Sequence, residues 1–200
     1  MKTQMKFQKI LTLVSLIFAA LTIVYSFFFC GGMLYEIRFY AVDQYDVPGS
    51  KELKAFSQSA NSTLVVMCIV LLLCVVLLYL TLTNKRRKYY ITNYIAIGVT
   101  VVYSVALAIA FFVIIGQTFA LCAKVDLNAW KTLYEAINDY GQKANPDHYS
   151  TSKVTLIIGI VVAVATLVMA TAWVLNTVWK LKLMQGEKAL LQGQEIKEAA

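Results

Sequence analysis

The stretch that decides the fold is residues 63–83, TLVVMCIVLLLCVVLLYLTLT, which contains no charged side chain and no histidine. Helical residues rise about 1.5 Å each, so about 20 of them cross the roughly 30 Å hydrocarbon core of a bilayer. The run does not alternate polar and apolar residues, as a membrane β-strand does. It therefore predicts a transmembrane helix.

Three further runs have the same character, because residues 10–29, 91–121 and 154–179 also lack Asp, Glu, Lys, Arg and His. The sequence predicts an all-α integral membrane protein, a four-helix transmembrane bundle with two structured extracytoplasmic loops. We expect residues 1–200 to form a single membrane domain. Its expected parts are spans at about 10–29, 63–83, 91–117 and 154–179, outer loops at 30–62 and 118–153, and a cytoplasmic tail at 180–200.

The start of the chain also fits a signal peptide, because three lysines precede its apolar run. That run has about 20 residues, longer than a typical signal-peptide core, and no small-x-small cleavage site follows it. We expect an uncleaved signal anchor.

Basic residues are unevenly divided among the segments that connect the spans. The two ends and the turn at 84–90 hold eleven Lys and Arg residues against three acidic ones, whereas the other two loops hold seven against eight. Basic residues that flank spans stay in the cytoplasm, so both termini are expected inside, at the plasma membrane. The net charge of +7 thus indicates topology and not nucleic-acid binding. The residues assigned to topology or lipid headgroups are Lys85, Arg86, Arg87, Lys88, Lys180 and Lys182.

The two outer loops carry local patterns of their own. Residues 33–42 alternate with the period of a half-buried strand, which is also compatible with a continuation of the first span as a helix. In the second loop, Asp126 is a plausible N-cap for a short amphipathic helix. The apolar face of that helix is either a structural lid or a docking surface for a partner protein. Its residues are Leu127, Trp130, Leu133, Tyr134 and Ile137.

Two of the four cysteines, Cys30 and Cys122, lie near the outer ends of spans one and three. In an oxidising compartment a disulfide between them would close a loop of about 90 residues and contribute on the order of 4 kcal/mol. A bridge requires Cα atoms within about 7 Å of each other. The alternative is that the Cα atoms of Cys30 and Cys122 are further apart and both cysteines stay unpaired. Cys68 and Cys74 are interpreted as small apolar packing residues of span two.

The spans hold no ionisable residue other than Cys and Tyr, which argues against active transport by a single subunit. Several polar residues within the spans are expected to form interhelical hydrogen bonds or, in an oligomer, to line a pathway. These are Asn93, Thr100, Ser104, Thr166, Thr171 and Asn176. Gly159 and Ala163, four residues apart, favour close helix approach. We expect no catalytic residue, no metal site at the lone His148 and no cofactor.

Three functions remain open on the sequence alone. The first is a non-enzymatic subunit or scaffold of a membrane complex, acting through the outer loops or the basic tail. The second is a transporter or channel component that works as an oligomer or with a partner subunit, and the third is a membrane enzyme or thiol-redox protein. The expected partners are the lipid bilayer and either another membrane protein or further copies of the chain, with no nucleic acid.

Overall fold

The computed structural model describes residues 2–31, 47–83, 91–126, 128–129, 132 and 148–198. Each of its four long helices contains a segment long and apolar enough to cross a membrane: Thr3–Phe29, Ser50–Thr81, Thr92–Cys122 and Lys153–Gly186. The helices are α1 (Lys2–Gly31), α2 (Ser50–Thr83), α3 (Ile91–Cys122) and α4 (His148–Glu198). The prediction of an all-α transmembrane bundle of four helices is confirmed.

Each helix packs against the one that follows it in the chain, and α4 closes the bundle with a smaller contact on α1. The helices run alternately up and down. We call the end where α1 begins at Lys2, α2 ends at Thr83 and α3 begins at Ile91 the basic end. The opposite end, where α1 ends and α2 begins, is called the loop end.

The core follows from the spacing of buried residues along each helix. In α2 the buried positions recur at steps of three and four, the period of helices that pack in bundles. They include Leu53, Ser57, Ala60, Leu64, Cys68, Leu71, Val75 and Leu78. Large apolar side chains on all four helices instead point outward, among them Phe28, Val102 and Val168. This outward apolar surface is the one that meets lipid in a bilayer.

All four helices extend beyond the charge-free runs. The first begins at Lys2, and the second begins at Ser50, so residues 50–62, which were expected to belong to the first outer loop, are helical. The third ends at Cys122, and the fourth runs from His148 to Glu198. The absence of charge marks only the part of a helix within hydrocarbon. A helix continues into the interface wherever one of its faces stays packed. In α2, Leu53 and Ser57 show such a face, because both side chains are buried although they precede the charge-free run.

At the loop end, a turn before α2 packs against the turn after α3. Pro48 and Gly49 form the first turn, and Gly49 adopts a φ of +81°, a conformation that glycine tolerates best. A Cβ at Gly49 would lie 2.6 Å from the Lys124 carbonyl oxygen, and the Asp126 amide donates to the Pro48 carbonyl over 3.1 Å. The Pro-Gly pair therefore forms a turn that joins the start of α2 to the end of α3.

Candidate functional site

The predicted docking helix of the second loop lies largely outside the described residues. The residues not described include the apolar face of that helix, Leu127, Trp130, Leu133, Tyr134 and Ile137. They also include residues 33–42 and the turn residues Lys85, Arg86, Arg87 and Lys88. The predicted N-cap is observed, since Asp126 Oδ1 accepts hydrogen bonds from the backbone N–H groups of Asn128 at 2.9 Å and Ala129 at 3.1 Å. A helix therefore begins at this position, and the role of its apolar face stays a prediction.

The cysteines do not settle the disulfide prediction. Cys122 has a free and buried thiol at the end of α3, whereas the side chain of Cys30 lies outside the described part of α1. The Cys30–Cys122 bridge therefore stays a prediction. Cys68 is fully buried in the core, as expected for an apolar packing residue, and Cys74 is partly buried.

Buried hydroxyl groups in the spans bond to their own helix. Thr100 donates to Ala96 O, Ser104 to Thr100 O and Thr166 to Val162 O, each over 2.7–2.8 Å. The prediction of hydrogen bonds between helices is therefore wrong for these three hydroxyl donors, because on a helix the carbonyl four residues earlier is the nearest acceptor. It is confirmed for Asn176, whose Oδ1 accepts a hydrogen bond from Gln4 Nε2 of α1. Thr171 donates in the same way to Leu167 O and is exposed on the outside of the bundle.

Other side chains form the hydrogen bonds that join the helices. Trp173 Nε1 of α4 donates to Ser15 Oγ of α1 over 3.0 Å, and Tyr25 Oη of α1 donates to the Thr155 carbonyl of α4 over 2.9 Å. Tyr103 Oη of α3 donates to the Met67 carbonyl of α2 over 3.1 Å. These bonds use indole and phenol groups because such side chains are long enough to reach a neighbouring backbone or hydroxyl.

A group of buried polar side chains lies at the basic end, and we call it the polar cluster. Gln4 Nε2 donates to Gln8 Oε1 at 3.3 Å and to Asn176 Oδ1 at 3.1 Å, so one amide joins α1 to α4. Asn93 occupies the first turn of α3, and Lys180 follows Asn176 by one helical turn on the same side of α4. The five side chains are 1–7% exposed.

Three amide atoms in the polar cluster have no hydrogen-bond partner among the described residues: Gln8 Nε2, Asn93 Oδ1 and Asn176 Nδ2. Leaving a buried donor or acceptor unpaired costs about 1–3 kcal/mol, so native proteins rarely leave such groups without a partner. Two of the three atoms are donors, and Lys180 adds a buried ammonium. The cluster is therefore suited to a ligand that accepts hydrogen bonds and carries negative charge.

The two lysines of α4 that were assigned to lipid headgroups have different environments. Lys182 is exposed, as expected for a lysine at the membrane surface. Lys180 is 7% exposed, and its Nζ lies 5.1 Å from the centroid of the Tyr94 ring on α3. Its position is therefore different from the expected exposed or interfacial one. The side chain packs inward because it lies on the same face as Trp173 and Asn176, which are both buried.

Gln4 and Gln8 were not predicted as site residues, because they precede the first charge-free run and carry no charge. Their signal is the spacing of polar residues along α1, which recur at steps of three, four or seven positions and all lie on its buried face. They are Gln4, Gln8, Thr12, Ser15, Thr22 and Ser26. In an otherwise apolar helix, such a stripe marks the side that faces the other helices.

The fold defines the class of this protein, a four-span integral membrane protein. Comparisons of the chain with protein-family models, with curated proteins and with solved structures find no match.

Proposed function

We propose that this chain is a non-enzymatic subunit or scaffold of a membrane complex. The observation that supports the proposal best is the length of α4, which has 51 residues and spans about 77 Å. Tyr94, in the first turn of α3, donates a hydrogen bond to Met184 Sδ over 3.2 Å, so α3 begins about level with Met184. The helix continues to Glu198, about 20 Å further. A helical arm beyond the bundle is a suitable attachment for a partner.

The position of this arm in the cell is part of the proposal. The arm follows Lys180 and Lys182 at the basic end, where the flanking segments carry the excess of Lys and Arg. We place this end in the cytoplasm and the protein in the plasma membrane, because basic flanking residues are retained on the cytoplasmic side. The partner is then a membrane protein with a cytoplasmic surface, or another copy of this chain.

The test compares the full chain with a variant that ends at Gln185. Both are purified in mild detergent after cross-linking in the membrane, and proteins present at fixed stoichiometry are identified by mass spectrometry. We expect a defined partner with the full chain and its loss with the shortened one. The thermal midpoint of the two bundles is the control, and it should be the same because the arm extends past the core.

A third sample separates the arm from the second loop. Trp130, Leu133 and Tyr134 are changed together to Ala in the full-length chain, and we expect the partner to remain bound if attachment is through the arm. Loss of the partner in this sample alone would move the docking surface to the loop end. A full chain that purifies without any stoichiometric protein, as a monomer, would contradict the subunit proposal.

The alternative function is a component of a transporter or channel, and the unpaired amide atoms of the polar cluster favour it. Polar groups within spans mark solute and ion pathways in many membrane proteins. The test is flux of ions and small anionic solutes in proteoliposomes that contain the pure protein at known orientation. Flux that is lost when Asn176 is changed to Leu would support this alternative over the scaffold.

A further inference from the structure

We infer that the polar cluster binds the phosphate group of an anionic ligand between α1, α3 and α4. The inference does not depend on the proposed scaffold function. Two buried amide donors, Gln8 Nε2 and Asn176 Nδ2, have no hydrogen-bond partner among the residues that the structure describes. Gln4 Nε2 holds both of these amides through their oxygens, which fixes their nitrogens as the groups left to donate.

The charge at this end of the bundle selects an anion. Lys180 contributes a buried ammonium one turn from Asn176. The sequence contains no Asp or Glu before Glu36, between Glu52 and Asp126, or between Asp147 and Glu187. The parts of α1, α3 and α4 that form the cluster therefore carry no acidic residue, while Lys6 and Lys9 lie nearby on α1. An anion is attracted to such a site and a metal cation is repelled.

The backbone adds to the attraction. Asn93 lies in the first turn of α3, where the N–H groups have no acceptor within the helix and the helix dipole is positive. Phosphate groups bind readily at this end of a helix, and here the side chain of Asn93 is buried beside it. Its Oδ1, which accepts no hydrogen bond from the described part of the chain, is an acceptor for a hydroxyl group on the same ligand, such as the glycerol of a phospholipid headgroup.

The depth of the polar cluster favours a lipid as the source of the phosphate. Gln4 and Asn93 each lie one residue inside the apolar segments that begin at Thr3 and Thr92. This is the level at which a bilayer holds its headgroups, about 15 Å from its centre. Basic sites between transmembrane helices at that level bind anionic headgroups. A free phosphate compound has the same chemistry, and the experiment separates the two sources.

The experiment uses the full-length chain, delipidated in mild detergent. Phosphatidylglycerol, phosphatidylcholine and inorganic phosphate are titrated separately, with bound lipid counted by native mass spectrometry and stability followed as the thermal midpoint. We expect one phosphatidylglycerol to bind at least tenfold more tightly than phosphatidylcholine and to raise the midpoint. Stabilisation by inorganic phosphate, with no preference between the two lipids, would retain the phosphate site and identify a soluble source.

Three variants that each change the net charge by −1 separate the site from general surface attraction. Lys180→Gln removes the buried ammonium, and Asn176→Asp introduces a carboxylate of the same shape that repels phosphate and pairs with Lys180. Lys182→Gln is the matched control on the exposed face. We expect the first two to weaken phosphatidylglycerol binding more than tenfold, the effect of losing one charge-assisted hydrogen bond.

The control variant, Lys182→Gln, should weaken phosphatidylglycerol binding by no more than about fivefold, which is the effect of one surface lysine near anionic lipid. Equal losses in all three variants would overturn the site and leave only non-specific attraction to the basic end. Failure of both phosphatidylglycerol and inorganic phosphate to bind or to raise the midpoint would overturn it too. If Lys180→Gln fails to fold, Asn176→Asp can still be compared with Lys182→Gln, because it keeps the side-chain volume.

Discussion

Gly159 is the residue at which α4 lies against side chains of both α1 and α3. A Cβ at this position would overlap Tyr25 Oη and Ile115 Cδ1. We expect Gly159→Ala to lower the free energy of unfolding by about 1–3 kcal/mol, because one added methyl group in a packed core forces its neighbours to move. Thermal unfolding in detergent measures the effect. Displacement of Tyr25 would also weaken its hydrogen bond to the Thr155 carbonyl.

Two other helical glycines provide the control for this change. A Cβ at Gly98 or Gly116 of α3 meets no atom within 4 Å. Replacing either by Ala should leave stability unchanged or raise it by up to about 1 kcal/mol, since Ala favours helix more than Gly. A thermal midpoint that falls as far in Gly98→Ala as in Gly159→Ala would show that close packing is not the cause.

At the scale of single residues, the sequence indicated part of this contact. The pair Gly159 and Ala163 predicted a face of close approach, and Ala163 is indeed fully buried. Tyr25, the residue that packs against Gly159, was not predictable from sequence spacing. Its height relative to Gly159 depends on the axial offset between α1 and α4. The inward position of Lys180 was not predictable for a similar reason. Only the packed neighbours show that the buried face of α4 extends past Trp179 and includes Lys180.

At the scale of secondary-structure elements, the sequence did not show that the first three turns of α2 pack against the bundle. Ala60 is buried there, whereas its neighbour Ser59 is exposed. We expect Ala60→Asp to destabilise the bundle by roughly 3–5 kcal/mol, because it places an uncompensated charge in the core. Ser59→Asp adds the same charge toward the outside and should change stability by less than about 0.5 kcal/mol.

The pair is compared by thermal unfolding and by the fraction that elutes as a single species in size-exclusion chromatography. Equal tolerance of both changes would mean that residues 50–62 form a loose helix apart from the bundle. The start of α2 was not predictable from the charge-free run, because Lys51, Glu52 and Lys54 break that run. These charges mark the edge of the hydrocarbon, while the helix itself begins at the turn formed by Pro48 and Gly49.

For the whole molecule, the fold was accessible from sequence because four long runs without charge admit few structures in a membrane. Within such runs, every backbone polar group has to be satisfied internally, which leaves a helix for each run. The polar cluster was not accessible in the same way. Its members come from three helices, and Gln4 and Asn176 are 172 positions apart in the chain, so only the packed bundle brings them together.

The orientation of the bundle is the property of the whole molecule that charge alone predicts. The basic end carries eleven basic residues against three acidic ones, and we therefore expect it in the cytoplasm. Single cysteines at Glu52, near the loop end, and at Lys182, near the basic end, report the two sides, because both side chains are exposed. The background is a chain whose four native cysteines are replaced by Ala.

A membrane-impermeant maleimide should label Glu52→Cys in intact cells and Lys182→Cys only after the cells are permeabilised. The cysteine-free chain is the control for background labelling, and its thermal midpoint confirms that the bundle is intact. The reverse pattern would place the basic end outside and would contradict the cytoplasmic position of the α4 arm, while the bundle itself would stand. It would also move the polar cluster to the outer leaflet, where anionic lipid is scarcer in many plasma membranes, and so favour a soluble phosphate compound as its ligand.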